Sequence, residues 1–222
     1  MERGGVQSVR RAFDVLEALA EDGPTSLSRL ATQVDLPLTT VHRLVGSLTS
    51  LGYVVGDSAK QYSLAPRLIH LGERAGRTFS RWAVPLLTRL VDEVGETANL
   101  AMLDGDEVVY VAQVPSKHSM RMFMEVGRRA HPHCTAVGKA MLAQLPAQEG
   151  AAVARGTGLP AQTEHTITSL PELTAALDRV RAEGHALDEG EQEVGVRCVA
   201  VPVGSSLPLA MSVSGPATRM TD

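Results

Sequence analysis

Aromatic residues are scarce in this 222-residue chain: phenylalanine, tyrosine and tryptophan together make up 3%. That scarcity argues against a stacking platform for single-stranded nucleic acid, which needs several exposed rings. Cysteine is almost absent. Cys134 and Cys198 are too few for a disulfide framework, and a reducing, cytoplasmic setting is expected. No apolar run approaches the roughly 20 residues of a membrane span, and residues 1–11 are polar and basic, unlike a signal peptide. No membrane partner is expected. Positive charge is not in excess either: 21 Lys and Arg against 25 Asp and Glu leave a formal charge of −4. A protein that holds nucleic acid by bulk charge alone is thereby excluded. What remains is an ordinary globular composition, 44% hydrophobic and 21% charged, long enough for one large domain or two small ones.

The charge is unevenly spread. Residues 1–78 carry nine basic and eight acidic side chains, whereas residues 79–222 carry twelve and seventeen. Such an imbalance suggests two domains with different partners. In the first part, Val9, Ala12, Phe13, Leu16, Leu19 and Ala20 have helical spacing, and Gly23-Pro24 stops that helix. Leu27, Leu30, Ala31 and Val34 mark a shorter helix, with Ser26 or Ser28 as N-cap. Pro37 suits the first turn of a third helix whose buried stripe is Val41, Leu44, Val45, Leu48 and Leu51. Two β-prone runs flanking Gly56-Asp57-Ser58-Ala59-Lys60 read as a hairpin. This is the order of a winged helix-turn-helix. A connecting helix over 66–76 and a further amphipathic helix through Val84, Leu87, Leu90 and Val91 follow. Strands are then expected over 97–103, 107–114, 120–126, 199–203 and 209–214, with helices over 135–145 and 171–183. Strands and helices mix without strict alternation, so the fold class is α+β with a mostly antiparallel sheet.

Several constellations carry chemistry. On the third helix, Thr39, Thr40, His42, Arg43, Gly46, Ser47 and Ser50 face away from the apolar stripe. A recognition helix presents such residues to the major groove, where Arg can bond guanine bidentately and Thr can meet thymine. Lys60 at the hairpin tip suits a phosphate contact. The competing reading is a capped helix with a solvated face. In the second part, Thr135 can N-cap a helix and leave the amides of Ala136, Val137 and Gly138 free for a carboxylate or phosphate; the alternative is a plain capped helix with Lys139 in solvent. Ser212 and Ser214 share one strand face, and with Asp188 and Cys198 they could converge on that helix N-terminus. Met120, Met122 and Met124 alternate on another run. His131, His133, Cys134 and Cys198 are acceptable zinc ligands, but their spacing matches no structural zinc signature. A cysteine nucleophile beside a His and an Asp is the enzymatic alternative.

These motifs resemble one family. Val6-Gln7-Ser8-Val9-Arg10-Arg11-Ala12, Thr40-Val41-His42-Arg43-Leu44 and Gly52-Tyr53-Val54 are similar to the N-terminal domain of IclR-type transcriptional regulators. His133 to Ala140, Thr163-Glu164-His165-Thr166-Ile167, Gly195 to Ala200 and Ser212-Val213-Ser214-Gly215-Pro216 resemble their effector-binding domain. The resemblance implies a winged helix-turn-helix over 1–65, a linker helix over 66–80 and a GAF-like effector-binding domain over 81–222. It implies a non-enzymatic repressor, homodimeric or homotetrameric, that binds palindromic double-stranded operator DNA and a small organic acid, with no cofactor. Thr39, Thr40, His42, Arg43 and Ser47 would read bases, with Lys60 and Arg11 on phosphate. The acid would meet the amides of Ala136 and Val137 and the side chains of Asp188, Cys198, Ser212 and Ser214, lined by Met122, Ala130 and Val196. Three departures stand out. Ala130-His131-Pro132 replaces a bulkier pattern, so a larger pocket, a contact from His131 and an acid bulkier than glyoxylate are expected. The turn at 204–208 is short, and the 222 residues end before the C-terminal helix expected from the family pattern.

Overall fold

The computed structural model describes residues 6–122, 124–204 and 208–221; the short turn read at 204–208 thus falls largely outside the described residues. The chain divides into two compact units, Met1–Ala75 and Gly76–Asp222. In the first, α1 (Gln7–Asp22), α2 (Leu27–Gln33) and α3 (Leu38–Ser50) precede a hairpin of β1 (Val54–Gly56) and β2 (Tyr62–Leu64). Apolar residues three or four apart turn one face of each helix inward. Val15 and Leu19, Leu30, and Val41, Val45 and Leu48 meet there with Val54. Ser26 caps α2 by accepting from the Arg29 amide at 3.4 Å. The turn into α3 passes through Asp35 at φ 48°, a left-handed conformation that aspartate tolerates. Thr25 exchanges two backbone hydrogen bonds with Tyr62, at 3.0 and 2.8 Å, which adds a bridge to the hairpin. The unit is a winged helix-turn-helix.

The helix expected over 66–80 and the amphipathic stretch after it are one element, α4 (Arg67–Val94), with Pro85 inside it. The second unit is built on six antiparallel strands: β3 (Thr97–Asp104), β4 (Glu107–Val114), β5 (Arg129–Ala130), β6 (Ala186–Glu189), β7 (Val196–Val203) and β8 (Leu209–Pro216). Their order is β5-β4-β3-β8-β7-β6. Three helices accompany them, α5 (Ala136–Gln144), α6 (Ala147–Thr157) and α7 (Leu170–Glu183). Every residue of α5 from Ala136 to Leu142 is buried, as expected of a helix lying wholly within a core. Ala136, Val137, Ala140 and Met141 pack on Ala101, Tyr110, Ala186, Ala200 and Ala210, and the small side chains on both sides allow close approach. Leu100, Val111 and Ala112 belong to a separate cluster with Ala83, Leu87 and Val91 of α4; the adjacent Val111 and Ala112 share it because the β3–β4 ladder shifts register between Leu100 and Ala101.

One expected strand is absent. Residues 120–122 and 124–126 form no ladder, and the edge of the sheet beyond β4 is only the two-residue β5, with Val108 opposite Ala130. Side chains hold this segment instead: Thr97 Oγ1 donates to the Met122 carbonyl at 2.9 Å and Arg219 Nη2 to the Met120 carbonyl at 3.0 Å. Period-two alternation therefore marked a strapped loop rather than a strand.

Candidate functional site

A short helical turn, Pro132–Cys134, delivers the chain to α5. Thr135 then caps the helix, its Oγ1 accepting from the Gly138 amide at 3.2 Å. The Gly138 amide is therefore not free, a correction to the expectation of three free amides. Those of Ala136 and Val137 have no partner among the described residues. Glycine is required at 138, because a Cβ there would lie 2.2 Å from the Pro132 carbonyl oxygen. The N-terminus of α5 can thus seat an anion at two adjacent N–H groups.

The sheet supplies the opposing wall through its register. Asp188 lies opposite Cys198, and Cys198 opposite Ser214. One step along β8, Ser212 faces Asn99, which in turn faces Gln113. Residues two apart on a strand share a face, so both rows line one cavity. Of the residues expected to meet an acid, Ala136, Val137, Asp188, Cys198, Ser212, Ser214, Met122 and Val196 all line it. Ala130 and His131 do not. Ala130 packs against the core cluster of α5 and β4, so a small residue at 130 does not widen this cavity, which encloses only about 30 Å³. Met120 is 75% exposed and lies outside it, whereas Met122 and Met124 line it.

Sequence reasoning missed Asn99, Gln113, Tyr110, Gln192 and Glu193 in the lining. Asn99 and Gln113 do leave a trace, as single amides inside apolar β-prone runs. A buried amide must find partners: Gln113 Nε2 donates to Asn99 Oδ1 at 2.9 Å, and Asn99 Nδ2 to Ser214 Oγ at 3.2 Å and Ser212 Oγ at 3.4 Å.

Burial governs the electrostatics. Asp188, 2% exposed, is pushed up to about 6 by desolvation, although its Oδ1 accepts from the Glu191 amide at 2.8 Å. Cys198 and Cys134 are pushed up to about 12 by burial, with the charge of Asp188 adding to it. Both remain thiols at neutral pH, which removes the thiolate a nucleophile needs. The Cys134 thiol donates to Gln192 Oε1 at 2.9 Å. Lys139 is buried, not solvated, and forms an ion pair with Glu191. Thr163 and Thr166 hold the same turn through the carbonyls of Gly190 and Glu191, at 2.7 and 2.6 Å. His133 hydrogen-bonds the Pro160 carbonyl at 3.1 Å, and burial lowers its pKa. Among the described residues no group of three or more His, Cys, Asp or Glu is arranged to hold a metal ion.

In the first unit, α3 begins at Pro37 without a side-chain cap, so Thr39 and Thr40 are not spent on capping. Thr39, His42, Arg43 and Ser47 are exposed and Thr40 is half-buried. The Ser47 hydroxyl donates to the Arg43 carbonyl at 3.0 Å and keeps its acceptor lone pairs. Lys60 is exposed at φ 59° in a tip fixed by Asp57 Oδ1, which accepts from the Ala59 and Gln61 amides at 2.9 and 2.8 Å. Arg11 lies half-buried on α1.

Residues 8–58 match the IclR helix-turn-helix domain, and residues 77–222 match the C-terminal domain described as bacterial transcriptional regulator IclR. The chain is 36% identical to the HTH-type transcriptional regulator KdgR of Escherichia coli (strain K12) over 224 residues, 98% of this chain and 85% of that protein. It is 34% identical to the transcriptional repressor IclR of the same strain, over 99% of this chain and 83% of that protein. A solved IclR transcriptional regulator from Alicyclobacillus acidocaldarius superimposes with a TM-score of 0.85 at 29% identity, covering 98% of this chain and 91% of that one. These relatives are regulators and not enzymes, which sets aside the cysteine-enzyme alternative. No helix among the described residues is long and apolar enough to cross a membrane. The chain belongs to the IclR family of transcriptional regulators.

Proposed function

We propose that this regulator is a cytoplasmic, acid-responsive repressor that binds palindromic operator DNA as a homodimer or homotetramer. Thr39, Thr40, His42, Arg43 and Ser47 read base edges, and Lys60 and Arg11 meet phosphates. The acid docks its carboxylate on the Ala136 and Val137 amides and is oriented by Asp188, Cys198, Ser212 and Ser214. One observation carries the reading: the unpartnered amides and these four side chains, far apart in sequence, surround a single cavity. An apolar groove on the first unit, lined by Val9, Phe13, Leu16, Leu44, Leu51 and Leu71, supports self-association, since a second copy would cover it. For regulation the acid must favour one state of the protein over another, and the linker at 66–80 is assigned the coupling.

The test is a gel shift on DNA upstream of the regulator's own gene, run beside a thermal-shift screen of small carboxylates. Arg43→Ala should lose DNA binding and keep the acid-induced rise in Tm. Asp188→Asn combined with Ser214→Ala should keep DNA binding and lose the response to acid. An unchanged response in the second variant would refute the cavity as the sensor.

A further inference from the structure

We infer that the acid taken by this cavity carries a hydroxyl at the end remote from its carboxylate, and that a second carboxylate at that end is rejected. The inference rests on the proposed docking of the first carboxylate at Ala136 and Val137. It comes from the hydrogen-bonding polarity of the opposite wall. Gln113 donates to Asn99 Oδ1 at 2.9 Å, which orients the Asn99 amide so that its Nδ2 donates to Ser214 at 3.2 Å and Ser212 at 3.4 Å. The Ser212 oxygen therefore already accepts from the protein. Its own hydrogen has no acceptor among the described residues, and the residue is 4% exposed. Only a ligand group that accepts a hydrogen bond satisfies that hydrogen.

Asp188 imposes the opposite demand. It is 2% exposed and lines the same cavity, with Glu193 also in the lining and no lysine or arginine among the lining residues. Lys139, the nearby cation, is committed to Glu191. A ligand group meeting Asp188 must donate. A hydroxyl donates and accepts at once. An ammonium only donates and strands Ser212. A carboxylate only accepts, and it adds a negative charge beside the buried Asp188 carboxylate, where like charges repel more strongly than in water, with the exposed Glu193 at the rim adding to the repulsion.

The test is calorimetry on the full chain with two matched series that differ only at the far end: butyrate, 4-hydroxybutyrate and succinate, and benzoate, 4-hydroxybenzoate and terephthalate. In the series that fits, the hydroxy acid should bind at least about tenfold tighter than the dicarboxylate. Asp188→Asn should narrow that gap to about threefold or less, and Glu193→Gln, at an exposed position, should narrow it without risk to folding. A dicarboxylate binding as tightly as the hydroxy acid overturns the inference. Ala136→Pro separates this from failure of the underlying docking. Proline is tolerated at a first helical position, and Thr135 at φ −120° and ψ 144° already has the conformation that precedes one. If Ala136→Pro abolishes binding of the monoacids while no discrimination is seen, only the inference about the far end falls. If no acid of either series binds, or binding survives Ala136→Pro, the docking falls and this inference with it.

Discussion

Replacing Lys139 by alanine should destabilise the second unit severely, and the reason lies in what it leaves behind. The Lys139 and Glu191 side chains are 5% and 12% exposed, so both are largely withdrawn from bulk water. Glu191 Oε2 already lacks a partner among the described residues; without Lys139 the whole carboxylate would be buried and unpaired. Breaking a buried pair by removing one member costs about 3–5 kcal/mol. For a unit of this size, with about 2–4 °C of Tm per kcal/mol, the melting transition should fall by roughly 6–20 °C. Converting both partners to apolar residues, Lys139→Met with Glu191→Leu, should recover most of that loss, because an apolar pair carries no desolvation penalty. Calorimetric melting of the wild type, both single variants and the double variant reads this out, with binding of operator DNA as a control on the first unit. A drop below about 1 kcal/mol for Lys139→Ala, or a double variant as unstable as the summed singles, would refute the reasoning.

Three further outcomes follow from the same geometry. Gly138→Ala should cost about 1–3 kcal/mol or more, read from the urea midpoint, because its Cβ would collide with the Pro132 backbone. Cys134 and Cys198, both pushed up to about 12, should resist iodoacetamide in the folded protein at pH 7.5 and react once it is unfolded in urea; fast native labelling of either would contradict thiols held protonated. Asp188, raised from 3.8 to about 6, keeps a proton between those values that the unfolded chain has released. Its contribution to stability is therefore complete below about pH 4 and is lost as pH rises through about 6. Asp188→Asn should flatten that portion of the pH–stability curve, and an unchanged slope would place the titration elsewhere.

Much of this is legible in the sequence alone, and what is not has physical reasons. Local signals carried well: helical spacing in α1 to α3, the Thr135 cap, and the shared face of Ser212 and Ser214 follow from chemistry within a few residues. Asn99 and Gln113 were missed because their role depends on which strands are neighbours. The β3–β8 pairing joins Asn99 to Ser212 across more than a hundred residues, and strand periodicity does not encode partners. Segment 120–126 failed for a related reason, since alternation reports which side chains are buried and not whether a ladder exists. Helix α6 (Ala147–Thr157) has alanine and glycine where a stripe would show, so periodicity was silent there. Lys139 was misjudged because a lysine is ordinarily solvated, and Glu191, 52 residues on, is what makes its burial tolerable.

The size of the cavity has a kinetic and metabolic consequence. About 30 Å³ holds one or two waters, so the proposed acid would enter only as the cavity dilates. The work of dilation is subtracted from the intrinsic affinity: if about one molecule in a hundred is open at any instant, the apparent Kd is weakened about 100-fold. A sensor so built would ignore trace amounts of the proposed acid and answer only when it accumulates. Its association rate should also level off at high effector concentration, at the frequency with which the cavity opens by itself.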